Sequence, residues 1–178
     1  MTLNNPEAFL IYYRRDMQKY YLESISENKE HFFIFVLLSS PHILTTETVI
    51  VSVLNYNFKI KTSQDKKEII IEYGQSENLT KSTFNNQEKK KFYIGRKADA
   101  DIVITEGQVS REQTMIYFEN DNWYIKDGGE RPSGSGTWLF INKKYQIQDS
   151  FIFKIGPSKM KIDVNNNNNN INNENKEN

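Results

Sequence analysis

The feature that most constrains this fold is a dense series of short apolar segments between residues 92 and 164, each bounded by turn residues. Phe92-Tyr93-Ile94 runs into Gly95-Arg96, and Ile102-Val103-Ile104 follows a polar turn. Residues 114–119 alternate and stop at Asn120-Asp121-Asn122; Trp123-Tyr124-Ile125 then leads to Asp127-Gly128-Gly129. Residues 137–141, 145–147, 151–155 and 159–164 complete the series. Short segments of this kind, with turn signals between them, predict an all-β fold built as an antiparallel β-sandwich.

Further strands are expected upstream. Residues 32–38, FFIFVLL, form one continuous apolar run, as a buried strand does. Residues 48–54 and 58–61 alternate or nearly so, and residues 68–73, EIIIEY, are β-branched. Residues 74–91 are polar and read as a mobile surface loop, with Lys89-Lys90-Lys91 solvated.

Residues 5–29 read differently, as a helix. Asn5 suits the cap, Pro6 the first turn, and Glu7 the positive end of the dipole. Phe9, Tyr13, Met17 (or Asp16) and Tyr20 recur at about helical spacing, a stripe for the protein's own core or for a partner. Residues 165–178 contain ten Asn in fourteen positions and predict a disordered tail. The expected organisation is an N-terminal helical and strand extension over 1–45, a sandwich over 46–164, and an Asn-rich tail over 165–178.

Composition removes whole classes of chemistry. The 178 residues carry 23 Lys+Arg against 23 Asp+Glu, so no net field draws nucleic acid or a membrane surface. The absence of cysteine excludes thiol catalysis, disulfides and thiolate metal sites. The two histidines, His31 and His42, lie in neighbourhoods unsuited to a metal site or a triad. No cofactor is implied. No phosphate loop or nucleophile elbow is present, and Asp99 and Asp101 read as solvated turn residues, so an enzyme is not expected. The longest apolar run falls well short of the roughly 18 residues of a membrane span. Without a signal-peptide pattern, the expectation is a soluble intracellular protein, cytoplasmic or nuclear. Asn78-Leu79-Thr80 matches a glycosylation acceptor that such a protein would not use.

Several residues suit an anion site. Arg96 supplies a planar, always-charged fork that matches phosphate oxygens, and Gly95 permits a sharp bend beside it. Ser110 offers a short hydroxyl, Arg111 a second positive charge, and the surrounding main chain further donors. By residue type alone the plainer readings are favoured: pairing of Arg96 with Asp99 or Asp101 at the surface, and Ser110 as a turn cap.

Taken in order, FYIGRKADADIVI (92–104), QVSREQTMIYF (108–118), WYIKDG (123–128), SGSGTWLFINKKYQI (133–147) and DSFIFKIG (149–156) resemble the forkhead-associated (FHA) domain. The resemblance covers about residues 92–163. It implies an eleven-stranded β-sandwich whose loops at one end bind phosphothreonine peptides, and it assigns phosphate contacts to the Arg96 and Ser110 positions. Arg111, Ser135 and Gly136 join them as candidate peptide contacts. Gly95, Gln113 and Thr137 are the expected structural members of the motif. Trp138 is expected to cover the sandwich edge, and Trp123 to sit in the core with its N–H partnered.

The chain departs from the family twice. The family's histidine three positions after the serine is Gln113, which can also donate and accept and so can keep the loop brace. The family's Asn before Gly-Thr, which holds the peptide backbone, is Ser135; a lost clamp weakens binding by about 1–3 kcal/mol. Arg131, in the loop GGERPSGS, is a candidate replacement contact. Two functions follow: a phosphothreonine-dependent interaction module or adaptor, and a phosphate-independent scaffold on the same fold.

Overall fold

A computed structural model describes residues 9–24, 33–75, 78–141, 144–147, 150–155 and 158–163. These residues form strands and no helix: β1 Phe9–Arg14, β2 Lys19–Ser24, β3 Ile34–Leu37, β4 His42–Leu44, β5 Val49–Val53, β6 Tyr56–Thr62, β7 Glu68–Gln75 and β8 Asn78–Asn85. The series continues with β9 Lys91–Gly95, β10 Ile102–Val103, β11 Thr114–Glu119, β12 Asn122–Asp127, β13 Trp138–Ile141, β14 Tyr145–Gln146, β15 Ser150–Ile155 and β16 Ser158–Asp163.

An eight-stranded sheet runs β16-β15-β3-β13-β5-β6-β7-β8, a five-stranded sheet β10-β9-β11-β12-β4, and a three-stranded sheet β1-β2-β14. Pairing is antiparallel except between β9 and β10. The two larger sheets share one core, in line with the expected sandwich. In β6 the pattern is strict: Phe58, Ile60 and Thr62 are buried, while Asn57, Lys59 and Lys61 are exposed. Ile94, Ile116 and Trp123 meet this layer from the five-stranded sheet. Phe84 stacks on Phe92 with ring centroids 4.0 Å apart, tying β8 to β9 across the sandwich. Trp123 is fully buried, edge-on to Phe92 and Phe118, and its N–H donates to the Lys66 carbonyl at 3.0 Å, the partner expected of it.

The helix expected over 5–29 is corrected. Among the described residues, 9–24 form the β1–β2 hairpin, with Tyr12 opposite Tyr21 and Tyr13 opposite Tyr20. Both tyrosine pairs are in ring contact, at 5.9 and 4.8 Å. The physical reason is that a spacing of four satisfies a period of two as well as 3.6, so Phe9 and Tyr13 share a face in either structure. Aromatic and β-branched residues then favour the strand. Gln18, at φ 52°, closes the turn, and Arg14 Nε bonds Asp16 at 3.0 Å within it. Phe9 packs edge-on against Phe153, anchoring the hairpin on the core. The proposed cap residues Asn5, Pro6 and Glu7, residues 25–29, His31 and the Asn-rich tail lie outside the described residues.

The loop expected over 74–91 is also corrected. Asn78–Asn85 pairs with β7 over its whole length, from Glu68↔Asn85 to Gln75↔Asn78. An edge strand draws its stability from backbone pairing to its neighbour, so it needs no apolar run of its own. One short strand escapes the sequence pattern: β4, whose three residues pair with β12. β3 falls within the apolar run expected as a strand and lies between β13 and β15.

Candidate functional site

The site forms where β9 ends. Gly95 is buried, and a Cβ there would lie 2.2 Å from the Arg111 carbonyl oxygen, so only glycine lets the 109–111 segment pass this close. The two segments are then stitched together. Arg96 N–H donates to Ser110 O at 2.9 Å, Lys97 N–H to Arg111 O at 3.1 Å, and Gln113 N–H to Ile94 O at 3.0 Å.

Arg96 is exposed, and its Nε donates to the Val109 carbonyl at 3.0 Å. This bond fixes the plane of the guanidinium, and among the described residues its two terminal nitrogens have no hydrogen-bond partner. Neither carboxylate suggested as a partner takes it. Asp99 pairs with Lys97 at 3.1 Å. Asp101 pairs with Lys89 and accepts the Tyr93 N–H at 2.9 Å. Lys97 has Glu112 at 4.0 Å as well, and Asp99 above all holds its ammonium above the ordinary pKa. Arg111 and Arg131 are exposed and, among the described residues, paired with no carboxylate. The uncompensated positive charge at this end therefore belongs to arginines.

Gln113 is fully buried and uses its whole amide. Its Oε1 accepts the Ser110 N–H at 3.0 Å and the Ser135 hydroxyl at 2.8 Å. Its Nε2 donates to the Ser133 hydroxyl at 2.6 Å and the Gly136 carbonyl at 3.1 Å. A neutral imidazole has one donor and one acceptor, so the glutamine braces more of the loop than a histidine can. Thr137, also fully buried, donates to Gln113 O at 3.0 Å, and its hydroxyl lies 2.8 Å from that of Thr114. These bonds tie Thr137 to the strand start at Gln113 and Thr114.

Two residues that the sequence reading passed over complete the brace. Ser133 donates its hydroxyl to Asp127 at 2.6 Å and accepts the Gly136 N–H at 2.9 Å. The second Asp127 oxygen accepts the Ser133 N–H at 2.9 Å. Nothing local in the sequence joins Asp127 to Ser133; the loop between them must close first. Gly128 supplies that closure at φ 68°, where a Cβ would meet the Arg131 carbonyl.

The candidate residues separate into two groups. Ser110, partly exposed, accepts the Gly134 N–H on its hydroxyl oxygen at 2.9 Å, which leaves the O–H proton to donate outward. Arg96, Ser110 and Arg111 therefore lie together at the surface. Ser135 and Gly136 face inward: the Ser135 hydroxyl is spent on Gln113, and both main-chain groups of Gly136 are bonded within the brace. Ser135 O accepts the Trp138 indole N–H at 3.0 Å, which seats Trp138, 6% exposed, against the loop.

A surface arginine fork lies beside the Ser110 hydroxyl, on two loops locked by a buried brace at one end of the sandwich. Residues 92–156 match the FHA domain. No curated protein and no solved structure matches the chain. The FHA match begins in β9 and ends after β15, so it contains the brace and all the candidate contacts. FHA domains are interaction modules that generally mediate phosphopeptide-dependent protein association. Among the described residues, no helix is long and apolar enough to cross a membrane.

Proposed function

We propose that this chain is a phosphothreonine-peptide reader in which Arg96, Ser110 and Arg111 hold the phosphate. The single observation that carries the reading is the state of Arg96. Its Nε is locked on Val109 O, it has no acidic partner among the described residues, and the Ser110 loop lies against it. A phosphate brings about −1.5 to −2 charge and three strong acceptors, and a fixed guanidinium beside a hydroxyl donor answers both. The module acts by recognition and changes no covalent bond; neighbouring loops, with Arg131 among their residues, select the peptide.

A second reading has its own observation. With Ser135 turned onto Gln113, the side chain expected to hold the peptide backbone is occupied. That favours a phosphate-independent scaffold on the same fold.

One experiment separates the two. A degenerate phosphothreonine peptide library is titrated by fluorescence anisotropy against the wild-type protein and Arg96→Ala, with unphosphorylated peptides in parallel. Binding that requires both the phosphate and Arg96 supports the reader. Binding indifferent to phosphate, with Arg96→Ala still folded, supports the scaffold.

A further inference from the structure

The outer face of the eight-stranded sheet carries an aromatic and basic patch that neither function uses. Register places Lys159 opposite Lys154, Lys154 opposite Phe35, and Phe35 opposite Phe140, so four strands contribute one row. Phe33, Phe35 and Phe140 make mutual ring contacts between 5.4 and 6.4 Å. Phe33 is 49% exposed, a costly state for a phenyl ring with no covering chain.

The cluster borders a groove of about 320 Å³. Phe33, Phe35 and Leu54 line it with apolar surface; Asn55, Asn57 and Lys154 line it with polar groups and one positive charge. Lys154 Nζ lies 4.9 Å from the Phe35 ring and 4.7 Å from that of Trp138, and Lys159 Nζ lies 5.7 Å from Trp138. Neither lysine pairs with a carboxylate among the described residues. Burial alone lowers the Lys154 pKa, in keeping with an ammonium that has lost water without gaining an acid.

We infer that this groove docks an unphosphorylated peptide that places a carboxylate beside a large apolar side chain. The lysine pair supplies the charge that a carboxylate complements, and the phenyl cluster supplies the wall for the neighbouring apolar group. Single-stranded nucleic acid fits less well, because Lys154 covers Phe35, Trp138 is buried, and a base needs an open ring face for stacking. Arg96 takes no part, so the inference stands independently of the phosphate site.

The test selects binders to the full chain from a random dodecapeptide display library without phosphate. The expected result is enrichment of peptides with Asp or Glu next to Leu or an aromatic residue. A fluorescein-labelled representative should lose at least tenfold in affinity with Lys154→Gln and with Phe33→Ser, and bind Arg96→Ala unchanged. Asn57→Asp, at an exposed strand position, adds a repelling charge and gives the same loss should either of the others fail to fold. No acidic–apolar enrichment, or enriched peptides that bind these variants as tightly as wild type, overturns the inference. So does Lys154-dependent binding of a labelled oligouridine in place of the peptides, or self-association that Lys154→Gln abolishes; these outcomes assign the face to nucleic acid or to a second copy.

Discussion

Gln113 Nε2 donates to the hydroxyl of Ser133 at 2.6 Å, and this bond joins the start of β11 to the loop that precedes β13. Through it the Asp127 carboxylate, the Ser133 hydroxyl, the Gln113 amide and the Ser110 N–H form one chain of hydrogen bonds. The brace ends one main-chain step from the proposed phosphate contacts. Loop order at the surface thus depends on a polar group buried in the core.

Replacing Gln113 by Leu removes four side-chain hydrogen bonds, leaving the buried Gly136 carbonyl and three partly buried groups each short of one partner. The expected destabilisation is about 3 kcal/mol, since each orphaned group costs about 1–3 kcal/mol before the loop relaxes. Urea unfolding measures it. Gln113→His should lose less than Leu, because an imidazole satisfies part of the set. Equal losses for the two would contradict the brace.

Glycine is required at 95 and optional at 134. A Cβ at Gly95 meets the Arg111 carbonyl at 2.2 Å, whereas one at Gly134 lies 3.7 Å from the Ser110 hydroxyl, an ordinary contact. Gly95→Ala should cost about 2–3 kcal/mol and displace Ser110 and Arg111, in the range of overpacking at a well-packed site. Gly134→Ala should stay within about 0.5 kcal/mol of wild type. Thermal unfolding of the two variants side by side decides the matter, and similar midpoints would refute the close approach.

The Thr114 and Thr137 hydroxyls lie 2.8 Å apart in the core, and Thr137 also reaches Gln113 O. Thr137→Val keeps the shape and should cost about 1–2 kcal/mol, because it leaves a buried carbonyl short of a partner. In a double-mutant cycle with Thr114→Val, the two losses should not add. Additive losses would mean the hydroxyls act separately.

His42, in β4, gives a pH dependence whose sign can be worked out. Burial disfavours the imidazolium and lowers its pKa below the ordinary 6.5. Between the lowered folded value and 6.5 the unfolded chain binds more protons, so stability rises with pH across that window. His42 therefore costs nothing above the unfolded value. Stability falls as pH drops through 6.5 toward the folded value, and the loss levels off below it. Unfolding free energies of wild type and His42→Gln between pH 5 and 8 should diverge on the acid side alone. A constant offset across the range would show that His42 does not titrate on folding.

Phosphopeptide binding, on the proposed reading, weakens on acidification for a different reason. The second phosphate ionisation lies near about 6, so the ligand loses charge below that pH while Arg96 keeps its own. Arg96→Lys should bind weakly at every pH, because a point charge cannot reproduce the fork held by Val109. Raising salt should weaken the wild-type complex at this exposed site. Affinity indifferent to salt would contradict an electrostatic site.

Most of the sandwich was legible in the sequence because its strands carry their own pattern. Segments 49–53, 68–73 and 114–119 are apolar, β-branched or alternating, and turn residues bound them, so local chemistry suffices. The likeness of residues 92–156 to FHA domains was likewise in the ordered motifs. Tertiary structure alone decided the rest. Whether Phe9 and Tyr13 lie along a helix or on one face of a hairpin strand, with Tyr20 opposite Tyr13, depends on what they pack against, since their four-residue spacing serves both periods. Asn78–Asn85 is a strand because β7 offers it an edge. The role of Gln113 depends on Ser133, Ser135 and Gly136 returning from twenty or more residues away, and that return requires the positive φ of Gly128 and Gly136. Periodicity is a property of neighbours in the chain; a buried amide finds its partners only once the chain has closed.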